Sequence, residues 1–346
     1  MLEKIKRREP LPVIELLLLD KFNGRRTDYI LPAYELDEYG YDWSMRVQKL
    51  VRKGYLRIAE PQDALQALTV PELKNILRVN GQKLSGKKAE LIARIAKNIS
   101  VEKYSDQVPK IYSVTEIGRH ELETRAFYLE NKQMSYGFLN SELANLEKNT
   151  APEMIFEKLF ARDFLKHATA QNYHSLANTY ERYRIYLKKH GRDEEALTAL
   201  LSMIYLRLSG MSDGNQVLEY HFLSWVFEDA LWRRELDGDR TAMNLSDAEI
   251  ETRFEAATES MNLPFTYFDK TTVIEIILER LHGQENLFGR YSSRRRLPNE
   301  NSPAYEYYSG KRNRSIEVSV SNGPAANSGC FLPCIIFFAI ILIVIK

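Results

Sequence analysis

Residues 68–99 constrain the fold more than any other part of this 346-residue chain. Thr69 is followed three residues later by Glu72, the spacing of a helix capping box, and Pro71 falls in the first turn. Apolar residues at i, i+3 and i+4 then form one stripe, made of Leu73, Ile76 and Leu77. The pattern predicts a short amphipathic helix that ends near Asn80-Gly81, a pair suited to a left-handed cap.

A second amphipathic helix is predicted after a tight polar turn. Ser85 is the candidate cap, and a matching apolar stripe follows at Leu91, Ile92 and Ile95. Residues 68–97 carry seven basic and two acidic side chains, a net charge of +5. Phosphate is the natural partner of such a surface, because the N–H groups at the start of a helix and its dipole attract anions. We therefore expect Ser85 and Gly86 to hold a phosphate beside Lys87 and Lys88.

The spacing of these residues resembles the SAP domain, a helix-turn-helix module best known for binding DNA. The resemblance rests on Leu73, Leu77, Gly81, Leu84, Ser85, Gly86, Lys87, Lys88, Glu90, Leu91 and Arg94. Gln82 and Lys83 stand where many members carry smaller or apolar residues. The resemblance implies binding of double-stranded DNA, with contacts from Lys74, Arg78, Lys83, Ser85, Gly86, Lys87, Lys88 and Arg94. The alternative is a basic, solvated helical hairpin used for protein contact.

The segments on either side of this SAP-like unit predict a common base. A helix from Ser44 to Lys53 precedes a short alternating strand, Tyr55 to Ile58, and Gly54 separates them. Ile111 to Val114 is the predicted antiparallel partner of that strand, and Thr115 is a candidate cap for the helix that follows. The order resembles the recognition helix and wing of bacterial winged-helix proteins, with the SAP-like unit inserted at the wing tip. Residues 1–130 are thus predicted to form one composite domain.

The helix before the first strand has a basic face. In a winged helix such a helix enters the major groove, which would bring four side chains near DNA: Arg46, Lys49, Arg52 and Lys53. The alternative is a helical scaffold that docks the SAP-like unit, with these four residues as an ordinary solvated face.

Residues 140–288 predict an α-helical domain. Its middle contains a helix pair with a turn at His190-Gly191-Arg192, which resembles a single tetratricopeptide repeat. No second copy at a period of about 34 residues is visible, so we expect a helical bundle. Residues 151–289 carry 15 basic and 23 acidic side chains, which disfavours a polyanion as ligand. A protein partner is the expected ligand of this domain.

The C-terminal part of the chain changes character twice. Residues 289–329 are polar and predict a disordered linker. Residues 330–346 form a hydrophobic tail that contains both cysteines, Cys330 and Cys334, and it predicts a membrane anchor. Basic residues precede the tail, so we expect the rest of the chain to be cytoplasmic. The alternatives are a buried C-terminal strand or helix, or an error in the reading frame.

The sequence contains no recognisable catalytic motif and no set of metal ligands. We therefore expect neither a cofactor nor a metal. The sequence predicts a mainly α, non-enzymatic DNA-binding protein, tethered to the membrane by its tail. Two other interpretations are a protein adaptor and an accessory subunit of a nuclease or transposition system.

Overall fold

The computed structural model describes residues 9–298, which are mainly helical, as the sequence predicts. They belong to two compact units, one ending at Ile155 and the other beginning at Phe156. Among the described residues, no helix is both long and apolar enough to cross a membrane. The hydrophobic tail at residues 330–346 lies outside the described part of the chain, and its role as an anchor stays a prediction.

The first unit contains nine α-helices and two strands in the range 9–155. In chain order they are α1 (Val13–Phe22), α2 (Leu36–Tyr39), α3 (Trp43–Arg52), β1 (Leu56–Ile58), α4 (Pro61–Ala64), α5 (Val70–Val79), α6 (Lys88–Asn98), β2 (Tyr112–Val114), α7 (Glu116–Thr124), α8 (Phe127–Gln133) and α9 (Asn140–Glu147). Short 3-10 turns lie at Ala33–Glu35, Leu65–Ala67, Val101–Lys103, Ser105–Gln107 and Pro152–Met154.

Helix α1 is the centre of the first unit. Its sequence is apolar on nearly all sides, and a helix of this kind must be surrounded by other elements. Helices α3, α7, α8 and α9 all pack against it. Its last residue, Phe22, stacks on Trp43 at the start of α3, with ring centroids 5.4 Å apart.

The two strands pair as the sequence predicts, although α4, α5 and α6 lie between them in the chain. β1 and β2 are antiparallel, with Leu56 opposite Val114 and Ile58 opposite Tyr112. The segment Gly24–Thr27 lies along the other edge of β2: the Tyr112 N–H donates to the Arg25 carbonyl at 2.8 Å, and the Thr27 N–H donates to the Lys110 carbonyl at 2.9 Å. β2 is therefore the middle of three extended segments.

The second unit is built of helices in the range that the structure describes. They are α10 (Ile155–Thr169), α11 (Tyr173–Lys189), α12 (Asp193–Leu208), α13 (Ser224–Glu228), α14 (Ala230–Met243), α15 (Asp247–Thr258), α16 (Lys270–Leu281) and α17 (Leu287–Tyr291). Short 3-10 turns lie at Asp213–Asn215, Tyr220–Leu223 and Ser292–Arg294. The predicted helix pair is α11 and α12, joined at His190–Arg192, and α12 is buried over most of its length.

Two domain limits differ from the sequence analysis. Helix α9, expected in the second domain, packs on α1 and α2 in the first unit, where the Val13 N–H donates to Glu147 at 3.0 Å. The polar stretch expected as a linker from residue 289 is folded onto the second unit as far as Arg296, whose N–H donates to the Tyr267 carbonyl at 2.7 Å. Tyr291 is also buried there. Residues 299–329 lie outside the described residues.

Candidate nucleic-acid interface

The two amphipathic helices of the SAP-like unit enclose their own hydrophobic core. Of the predicted stripe residues, Leu73, Ile76 and Leu77 of α5 and Leu91 and Ile95 of α6 are buried, and Ile92 is partly buried. Four further buried residues complete this core, Leu65, Leu68, Ile99 and Tyr104, and Tyr104 is 1% exposed. Sequence reasoning placed the first five by their helical spacing, but Tyr104 follows the second helix and has no periodic signal.

Both ends of α5 are as predicted. The Thr69 N–H donates to Glu72 Oε2 at 2.6 Å, and the Glu72 N–H donates to Thr69 Oγ1 at 3.5 Å, so both halves of the capping box are present. The Thr69 hydroxyl, which donates to Glu72 Oε2 at 2.7 Å, and the Thr69 N–H together lower the pKa of the Glu72 carboxyl. At the other end, Gly81 has a φ of +67°, and the Gln82 N–H donates to the Leu77 carbonyl at 2.8 Å.

Helix α6 begins later than the sequence suggests. Lys87 is the residue at its N-cap position, and the Lys87 N–H donates to Glu90 Oε2 at 3.3 Å. Ser85 and Gly86 therefore precede the helix instead of forming its first turn, because Glu90 caps the helix from within. The Glu90 carboxylate also puts a negative charge at the helix N-terminus, where a phosphate was expected.

Gly86 has a conformational role in this turn. Its φ is +131°, and a Cβ atom on Gly86 would lie 2.5 Å from Glu90 Oε2. Glycine has no Cβ atom, so it adopts this positive φ and leaves room for the Glu90 carboxylate without strain.

The basic side chains of the SAP-like unit fall into two groups. Lys83 and Lys87 are exposed and Lys74 is half-buried, and within residues 9–298 none of the three forms an ion pair. Arg78 is exposed and donates to the Asn75 side chain at 3.4 Å. The second group contacts backbone carbonyls: Lys88 Nζ donates to Gln66 at 2.8 Å, and Arg94 Nη1 donates to Lys83 at 2.5 Å and to Ser85 at 2.9 Å.

Carbonyl oxygens are neutral, so these hydrogen bonds do not cancel the positive charges of Lys88 and Arg94. Lys97, exposed on the last turn of α6, adds to this charge but was not among the predicted contacts. Its signal in the sequence was the net charge of the segment.

The basic face of α3 is less available to phosphate than the basic side chains of the SAP-like unit. Lys49 Nζ is 2.5 Å from Glu15 Oε1, and Arg46 Nε is 2.8 Å from Asp42 Oδ1, so both of these predicted contacts are ion-paired. Arg52 and Lys53 are exposed. The chain leading to and starting α3, residues 27–45, contains five carboxylates and no Lys or Arg. Three of these carboxylates, on Asp28, Glu35 and Asp42, are ion-paired with Arg26, Lys21 and Arg46.

The chain was compared with protein families and with curated proteins. No curated protein matches it. The SAP domain family matches residues 64–100, a range that begins at the end of α4 and contains α5, α6 and the turn between them at residues 80–87, called the basic turn below. This match suggests that the chain binds DNA or another nucleic acid through residues 64–100.

Proposed function

We propose that this chain is a non-enzymatic protein that binds double-stranded DNA through the basic turn of its SAP domain. The observation that carries the proposal is the set of Lys74, Lys83 and Lys87, which have no carboxylate partner within the described residues. Lysines without such partners are free to replace the counterions of a phosphate backbone. Phosphate contacts position a protein on DNA without reading its sequence, so binding to duplexes of many sequences is expected.

We propose that the base around the SAP domain has the topology of a winged helix. Support comes from the order of the extended segments, with β2 between Gly24–Thr27 and β1, and from α3, which directly precedes β1. The ion pairs of Arg46 and Lys49 favour a scaffold role for α3 over insertion into the major groove. Arg52, which is exposed, then serves as an accessory phosphate contact.

The SAP domain is attached to this base at both of its ends. Ala59, Ala64 and Ile111 form a small buried cluster, and Val108 packs against it. Arg57 of β1 adds an ion pair with Asp63 of α4 at 3.2 Å. These contacts support a SAP domain that is presented to DNA in a fixed orientation on the base.

A second role is proposed for the second unit, which we expect to bind a protein partner. Three large apolar side chains are exposed within ten residues: Phe222 is 42%, Trp225 51% and Leu231 45% exposed. Aromatic side chains exposed in this way are frequent in protein interfaces. Residues 151–289 carry more acidic than basic side chains, which is a further reason to separate this role from DNA binding.

The test is a titration of the full-length chain with a fluorescent duplex at several salt concentrations. The double substitution Lys83→Glu with Lys87→Glu should weaken binding to every duplex tested. It should also reduce the magnitude of the slope of log affinity against log salt by roughly 2, because each lost phosphate contact removes about 0.9 from that slope. Circular dichroism should show unchanged helical content.

The matched control is Lys132→Glu with Lys148→Glu, which changes the net charge equally at two exposed lysines, one on α8 and one directly after α9. Binding by this control should stay close to that of the unmodified chain. Equal losses in both double variants would mean that net charge alone governs binding. Full affinity in the folded Lys83→Glu, Lys87→Glu protein would reject the basic turn as the DNA site.

A further inference from the structure

We infer that Arg94 is a positioning residue, whose guanidinium fixes the turn that carries Lys83 and Lys87 before DNA arrives. The inference rests on the proposed function of this turn and goes beyond it. It assigns Arg94 a different part from the phosphate contact expected from its charge.

The guanidinium holds the turn from one side. Arg94 lies in the middle of α6, and its Nη1 atom donates to the carbonyl oxygens of Lys83, at 2.5 Å, and Ser85, at 2.9 Å. The residue between them, Leu84, packs its side chain against the core of the SAP domain. Three consecutive residues are thus anchored, two by their carbonyls and one by its side chain.

The flanks of the turn are also fixed. The Gln82 N–H donates to Leu77 at 2.8 Å, and the Gln82 side chain accepts from Asn98 at 3.3 Å. On the other flank, the Lys87 N–H donates to Glu90. The backbone at both lysines is therefore ordered in the free protein, and binding need not order it again.

The geometry separates the backbone from the side chains. Lys83 is tied through its carbonyl and Lys87 through its N–H, so neither contact uses an ammonium group. Both side chains are exposed. Arg94, by contrast, is half-buried and directs its charge at carbonyl oxygens of its own chain. Both contacts come from the terminal Nη1 atom, whereas a lysine at the same position keeps the charge but ends one atom sooner, so its ammonium lies closer to α6.

The test is the substitution Arg94→Lys in the full-length chain, with DNA affinity measured at several salt concentrations. If Arg94 positions the turn, affinity should fall about tenfold at every salt concentration, because hydrogen bonds that preorganise the turn are lost. The salt slope should stay that of the unmodified chain, because the number of phosphates contacted is unchanged. Amide hydrogen exchange at residues 83–87 should become faster in the absence of DNA.

The matched control is Arg119→Lys, the same exchange at an exposed position of α7. It should change neither affinity, salt slope nor exchange at the turn.

Each other result is informative. Unchanged affinity and unchanged exchange in Arg94→Lys, with normal binding by the parent chain, would overturn the positioning role and leave the proposed function standing. A salt slope smaller in magnitude by about 0.9 would identify Arg94 as a direct phosphate contact and would also overturn the positioning role. Absence of salt-dependent DNA binding by the parent chain would instead reject the proposed function itself.

Discussion

The ammonium group of Lys49 on α3 lies 2.5 Å from Oε1 of Glu15 on α1, and the Glu15 side chain is only 3% exposed. A carboxylate this deeply buried needs a cationic partner to stay charged. Lys49 supplies that partner from a position that is itself half-exposed. The basic face of α3 is therefore partly a structural device that joins two helices.

Loss of this cation should destabilise the first unit. We expect Lys49→Met to lower the free energy of unfolding by about 1–3 kcal/mol, less than for a fully buried pair because Lys49 is in contact with water. Adding Glu15→Gln should recover part of the loss, since the unpaired charge is then gone. Urea denaturation followed by circular dichroism measures both. Arg52→Met, on the exposed part of the same helix, is the control and should change little; equal effects of Lys49→Met and Arg52→Met would contradict the assignment.

The capping box at Thr69 should make stability depend on pH. The pKa of Glu72 is lowered from 4.5 by hydrogen bonds from Thr69, so the charged carboxylate stabilises the folded state above pH 4.5. That contribution is lost as the pH falls through the lowered pKa. Glu72→Gln should thus melt below the parent chain at pH 7, and the difference should shrink toward pH 3. The exposed Glu153, changed to Gln, is the control. A difference in melting temperature that is the same at both pH values would argue against this linkage.

Tyr104 carries a buried hydroxyl that has no hydrogen-bond partner among the described residues. Burying a hydroxyl without a partner costs free energy, so Tyr104→Phe should leave the stability unchanged or raise it by up to about 1 kcal/mol. Tyr267 is the matched control, because its hydroxyl donates to the Leu218 carbonyl. Tyr267→Phe should lower the stability by about 1 kcal/mol. Thermal unfolding measures both, and a clear loss in Tyr104→Phe would show that its hydroxyl is satisfied after all.

Gly118 on α7 marks a close approach to the chain between α3 and β1. A Cβ atom at this position would lie 2.4 Å from the Tyr55 carbonyl oxygen and 2.9 Å from Val114. We expect Gly118→Ala to destabilise the first unit by about 1–3 kcal/mol, because the backbone must move. Gly238 on α14 has no atom within 4 Å of its own Cβ position, so Gly238→Ala should stabilise by about 0.5–1 kcal/mol. Chemical denaturation compares the two, and a neutral Gly118→Ala would exclude the close approach.

The local features of the SAP domain were determined by the sequence. The capping box at Thr69, the helix end at Gly81 and the apolar stripes of α5 and α6 depend on contacts between residues a few positions apart. The same holds for the helix pair α11 and α12. Even the pairing of β1 with β2 was predictable, since both strands are short alternating runs. Such features follow from helical or strand periodicity and from side chains that bond to their own backbone.

The tertiary structure decided which charges are engaged. Glu15 and Lys49 are 34 residues apart, and Arg94 reaches the Lys83 carbonyl across the turn, so neither contact has a periodic signal. Tyr104, which joins the SAP core from beyond α6, also has no periodic signal. Nor did the sequence show that the chain is folded as far as Arg296, because the polar composition from residue 289 suggested a linker. A charged side chain is compatible with water, a phosphate, a carboxylate or a carbonyl, and composition cannot choose among them. The choice depends on which groups the packed helices bring within hydrogen-bond distance, and only the folded chain sets that distance.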